Sequence, residues 1–144
     1  VWIGNLAGAL LIAAAFSQTS LITGGFDTTA AKIAAGKMAL APLDIFVRAI
    51  LCNALVCLAV WLSFAATYVA GKILAIILPV AAFVALRLEH SIPNTFLRPL
   101  GLMAGAEGSA ALAAQNIAIA TAGNILGGAG GVALAYRFAF KPQV

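Results

Sequence analysis

The sequence predicts an all-α membrane protein, a helical bundle of four membrane-crossing elements, one of them broken midway, in an inverted-repeat arrangement. Three observations carry that prediction. The 144-residue chain is 64% hydrophobic and 8% charged, with mean hydropathy +1.10, whereas a soluble domain carries roughly 25% charged residues. A polar stretch, residues 88–96 (LEHSIPNTF), interrupts two of the most apolar segments. A Gly-Asn-apolar-x-Gly-small pattern occurs twice, at residues 4–9 (GNLAGA) and 123–128 (GNILGG).

A spanning helix needs about 20 apolar residues. The first span reads over residues 2–22, with Ser17, Gln18 and Thr19 at the interface. The loop 23–43 is Gly-rich at its start and continues as DTTAAKIAAGKMAL. There Asp27 or Thr28 is positioned to cap an interfacial linker helix over about 28–41, with Lys32 and Lys37 on its polar side. The second span covers residues 45–70, with Arg48 near enough to one end to snorkel. The third element covers 72–104 and the fourth 112–138, so residues 1–144 form one transmembrane domain.

The third element cannot be one ordinary span. Residues 73–86 are apolar throughout, but fourteen residues at about 1.5 Å each reach only some 21 Å, short of a hydrocarbon core near 30 Å. Pro93 then lacks an amide hydrogen and disfavours helical geometry at Ile92. Two half-helices joined at about Glu89–Pro93 are expected, with Ser91 capping the second. Backbone freed inside a bilayer is tolerated only against protein or a water-filled cavity. A break carrying Glu89 and the only histidine, His90, therefore predicts a functional cavity.

The repeated pattern sharpens the topology. Gly4/Gly8 and Gly123/Gly127/Gly131 are small-residue stripes that permit close helix approach, and an asparagine at membrane depth needs a partner. Two crossing elements separate the copies, so they run in opposite directions, the mark of inverted repeats. The last copy follows a span and a broken helix. The same pair is expected ahead of the first copy, so the chain reads as about two-thirds of a six-helix protein.

Other classes are disfavoured. The net charge of +4 is spread over loops and helix ends and never forms a basic run, which gives nucleic-acid binding no support. Cys52 and Cys57 lie about 140° apart on a helix and read as small packing residues. No His-Glu-x-x-His occurs, and one histidine cannot build a zinc site, so neither a metal, a cofactor nor an enzyme is expected. No basic region precedes the first apolar stretch, as a signal peptide requires. Lys32, Lys37, Arg48 and Arg98 fall on one side and Lys72, Arg137 and Lys141 on the other, so charge sets no orientation.

Residues 48–65 (RAILCNALVCLAVWLSFA), 71–96 (GKILAIILPVAAFVALRLEHSIPNTF) and 123–128 (GNILGG) resemble the formate/nitrite transporter family. The resemblance implies an aquaporin-like fold of two inverted repeats, pentamers of six-helix protomers in a bacterial cytoplasmic membrane, and one pore per protomer. The implied substrates are small monovalent anions such as formate, nitrite or hydrosulfide. It implies that His90 is the pore histidine, preceded by Glu89. It also implies that Asn53 and Asn124 are the asparagines of the LCN and GN motifs, and that Phe83 narrows the pore. Lys37 stands where the family carries a vestibule lysine, and Ser91 and Asn94 join the pore set. The chain departs from the family at Arg87-Leu88, where a small or aromatic pair is usual, at Pro93 and at Thr95. On a continuous helix Arg87 would lie about 60° from His90, near enough to lower its proton affinity or attract anions.

The expected mechanism follows from charge. A weak-acid anion drawn in by Lys37 and the positive end of the second half-helix takes a proton from His90, or from water that His90 orders. It then passes Phe83 as the neutral acid. Glu89 orients the site, and Asn53 and Asn124 either face the pore or hold the break together. Two alternatives stand beside this reading: a neutral-solute channel of the aquaporin type, and a fragment that does not transport.

Overall fold

The computed structural model describes residues 1–20 and 26–140, without the side chains of Phe26 and Asp27. Among them the regular elements are helical: α1 (Trp2–Ser17), α2 (Phe26–Met38), α3 (Pro42–Ala65), α4 (Val69–Ala85), α5 (Ser91–Met103) and α6 (Ala110–Ile125). A π-helical segment (Leu126–Ala133) and α7 (Leu134–Ala139) follow. The last three run on as one 30-residue apolar helix, and this helix and the 24-residue α3 are each long enough to cross a membrane. The end of the first predicted span, the Gly-rich start of the loop, the Asp27 side chain and Lys141 lie outside the described residues.

The chain forms two compact units. One combines Val1–Asp44 with Ser91–Ile119, the other Ile45–His90 with Ala120–Val144. In the first, α1 and α2 both pack on α5. Ala13, Ala30 and Leu100 form its buried core, with Phe16 and Phe96 against it. Those two rings meet edge to face at 6.1 Å, a favoured aromatic geometry. Small residues bring the backbones together: a Cβ on Gly101 would collide with the Ala34 methyl of α2.

In the second unit, α3 buries Ile45, Ala49, Cys52 and Ala59, a spacing of three, four and seven that keeps one helical face inward. Gly123 and Gly127 of the final helix pack closely against α3. A Cβ on Gly123 would come within 2.6 Å of the Ala49 Cβ and of the Phe46 carbonyl, and one on Gly127 would strike the Ile50 carbonyl. The indole of Trp61 stacks on Tyr136 at 3.9 Å. Neither Cys52 nor Cys57 is joined in a disulfide, and Cys52 is fully buried in this packing.

The observed elements depart from the predicted ones in four ways. The first span stops at Ser17 and the second at Ala65. The break covers residues 86–90, ahead of the expected Glu89–Pro93, because α4 ends in a left-handed turn. Arg87 has φ of +52°, its N–H donates to the Val84 carbonyl and the Leu88 N–H to the Phe83 carbonyl, both at 3.0 Å. This is the Schellman termination, usually built on glycine. Pro93 is the third residue of α5, where a missing amide hydrogen leaves no bond unmade. Finally, the glycine stripes are unequal. Among the described residues a Cβ on Gly4 or Gly8 would meet nothing within 4 Å, and Gly131 has left the α3 face while a Cβ on Gly128 would meet Asn53. The wider i→i+5 turn of the π-segment rotates residues beyond Leu126 out of the four-residue register.

Candidate functional site

Within the second unit, the break is held by the final helix. The Asn124 side-chain nitrogen donates to the Glu89 carbonyl at 3.0 Å and the Ala49 carbonyl at 2.8 Å. Asn53, on α3, donates to the Asn124 main-chain carbonyl at 2.6 Å. Both amide hydrogens of Asn124 thus go to backbone carbonyls, one freed by the break and one on α3. This is the satisfaction that irregular backbone at membrane depth requires. Arg48 adds a long bond, 3.5 Å, to the Arg87 carbonyl. Of the two roles open to the asparagines, holding the break is the one these bonds perform.

His90 is half-buried at the end of that break, and its ring lies 6.2 Å from the Phe83 ring, tilted by 40°. Glu89 is fully buried, so its carboxyl group does not sit in a water-exposed loop. Because α4 ends at Ala85, the angular relation of Arg87 to His90 on a continuous helix does not apply, and Arg87 lies on the exposed turn.

Within the first unit, α5 buries a polar row containing Ser91, Asn94, Thr95 and Arg98. Asn94 Nδ2 donates to Asn116 Oδ1 at 3.1 Å. Arg98 Nη2 donates to the Lys37 carbonyl at 3.0 Å, and Asn116 Nδ2 reaches the same oxygen at 3.4 Å. Ser91 is the first residue of α5, and Thr95 donates to the Ile92 carbonyl at 2.6 Å.

Arg98 and Asn116 were not among the residues the sequence singled out. Arg98 read as one more charge at a membrane edge, yet it is fully buried. The signal for it was an arginine alone in the otherwise apolar run 97–106. The first repeat also differs from the second, since Asn5 is exposed and Asn124 buried. Among the described residues, no three His, Cys, Asp or Glu side chains gather into a potential metal site.

Long apolar helices, one crossing element broken at an ionisable pair, and backbone carbonyls satisfied by asparagines define a polytopic membrane protein of the broken-helix class. The chain belongs to the formate/nitrite transporter family, which it matches over residues 1–138. It is 41% identical over 145 residues to the "Uncharacterized transporter YrhG" of Bacillus subtilis (strain 168), covering 99% of this chain and 54% of that protein. It is 37% identical over 158 residues to a "Probable formate transporter" of Methanothermobacter thermautotrophicus, covering 99% and 58% respectively. The chain therefore spans little more than half the length of these relatives. A solved "Pentameric formate channel with formate bound" superposes with a TM-score of 0.80 at 32% identity, covering 96% of this chain and 63% of that one. The fold is that of this family's channels.

Proposed function

We propose that this chain builds the pore of a transmembrane channel for small monovalent weak-acid anions, formate first and nitrite second, with each anion moved alongside a proton. The observation that carries the reading is His90, half-buried in a membrane-helix break that Asn124 holds and 6.2 Å from Phe83. An unpaired anion costs several kcal/mol to bring into a narrow apolar passage. Lys37 concentrates anions at the mouth, and the positive N-terminal end of α5 begins at the residue after His90 in the chain, an end that favours an anion. His90, or water it orders, gives the anion a proton there. The neutral acid passes Phe83, and His90 regains its proton from the side on which the anion entered, so that one proton crosses with each anion. Glu89 orients the break from its buried position.

Formate is favoured because a relative and a solved structure carry it in their descriptions. The pentameric state of that structure supports a homo-oligomer, and we extend the pentamer to this chain in a bacterial cytoplasmic membrane. The activity is passage without covalent chemistry, and hence not enzymatic.

The test is formate uptake by the reconstituted protein in vesicles carrying a pH gradient. Replacing His90 with phenylalanine should lower the proton-coupled rate by roughly 10²-fold, the usual worth of a positioned acid–base group. Parent-like uptake by His90→Phe would overturn the reading. Fast water permeation without formate flux would favour the neutral-solute channel instead.

A further inference from the structure

The polar row of the first unit has a place in this mechanism. The Lys37 carbonyl lies in the last turn of α2, where the final carbonyls of a helix have no partner within it. Those carbonyls also carry the negative end of the helix dipole, about half an elementary charge. Two side chains from other elements meet that oxygen: Arg98 of α5 at 3.0 Å and Asn116 of α6 at 3.4 Å. Asn116 is itself oriented by Asn94, whose amide donates to its oxygen at 3.1 Å. Arg98 and Asn94 are 0% exposed and Asn116 2%. A guanidinium is rarely buried unless charge or hydrogen bonding compensates its lost hydration. Gly101, one turn beyond Arg98, lets α2 settle directly on α5 beneath this contact.

We propose that Arg98 and Asn116 are positioning residues that fix the C-terminal end of α2, and so set the place and field of Lys37 for the arriving anion. Two effects combine. The hydrogen bonds anchor the backbone of residue 37 to α5 and α6. The buried cation of Arg98 also offsets the partial negative charge of the α2 terminus, which would otherwise oppose the Lys37 ammonium beside it. Asn94 acts through Asn116 as the outer member of the network. This inference rests on the reading of Lys37 as an anion-attracting residue, so its test separates the two.

The anchor is read directly by labelling. With Cys52 and Cys57 replaced by alanine, a Lys37→Cys variant keeps the carbonyl that Arg98 grips. Its modification rate by a cationic methanethiosulfonate reagent reports how position 37 is held. Adding Arg98→Met should change that rate several-fold, and Asn116→Ala should change it in the same direction by less. In the native-cysteine protein, Arg98→Met should raise the half-saturating formate concentration several-fold at low ionic strength, with maximal flux within about twofold of the parent. Arg98→Lys should restore part of that shift, and Arg98→Met added to Lys37→Ala should do no further harm. If Arg98→Met is not recovered from membranes, Arg98→Lys and Asn116→Ala carry the same comparisons. Unchanged labelling, or a loss of maximal flux with an unchanged half-saturation, overturns the proposal in favour of packing alone. An unchanged half-saturation in Lys37→Ala overturns the reading of Lys37, while the labelling still decides the anchor.

Discussion

Arg87 carries a backbone conformation that its side chain opposes. A non-glycine residue at φ of +52° bears a Cβ clash of about 1–2 kcal/mol, and at this point of a Schellman turn glycine is the usual solution. Strain of this kind persists where the surroundings enforce it, and it gathers at functional sites. Two turn bonds of 3.0 Å and the contact from Arg48 enforce it here. Arg87→Gly should therefore stabilise the protein by about 1 kcal/mol, after the greater freedom of glycine in the unfolded chain is deducted. Thermal unfolding in detergent should show Arg87→Gly melting above Arg87→Ala, which keeps the Cβ. Equal midpoints would show that the turn is not strained. At this scale the sequence marked His90 and Glu89 clearly, because ionisable residues in apolar surroundings are conspicuous in one dimension. Arg98 is equally conspicuous, the one charge of the run 97–106, but the sequence assigns it only a side of the membrane. A long cationic side chain near a helix end can snorkel, and only the meeting of α2, α5 and α6 shows it bound to a backbone carbonyl.

Elements were legible to the extent that they follow hydrophobic length and period. The broken helix was readable because fourteen apolar residues are too few to span a bilayer, and the two observed halves, Val69–Ala85 and Ser91–Met103, match that argument. Pro93 points to a break at Glu89–Pro93, whereas the chain turns earlier, at Arg87, without a glycine or proline. The π-segment was not legible at all. Its sequence, LGGAGGVA, has few side chains to display any period, and a wider turn in one helix leaves no mark on composition. That segment yields a paired test. In Gly127→Ala the new methyl would run into the Ile50 backbone carbonyl, a neighbour that cannot rotate away, so α3 and the final helix must separate. The cost should be several kcal/mol, in the range of overpacked cores, seen as lost recovery of folded protein. Gly131→Ala has nothing nearer than the Leu126 carbonyl at 4.0 Å. It should be tolerated, or gain up to about 1 kcal/mol from reduced backbone freedom. Equal behaviour of the two variants would mean that the glycine face does not set the helix spacing.

Over the whole molecule, charge is sparse and unbalanced, with eight Lys and Arg against four Asp and Glu. Among the described residues one of those carboxylates, Glu89, and one of those cations, Arg98, are buried; the two cancel and leave the chain's net charge at +4. A positive field raises the local concentration of a small anion and speeds its capture, and salt screens it. The Debye length falls from about 30 Å at 0.01 M to about 8 Å at 0.15 M, so capture at the mouth should weaken over that range while passage through the apolar constriction should not. Formate uptake at subsaturating concentration should therefore drop several-fold when ionic strength is raised between those limits with sodium sulfate, and the maximal rate should hold. Lys37→Ala should begin lower and respond less, because the charge being screened is already gone. A neutral solute of similar size measured in the same vesicles supplies the control, since its flux has no charge to screen. A flat salt response for formate, parallel to that of the neutral solute, would remove electrostatic capture from the mechanism and leave the break as a pore without anion preference.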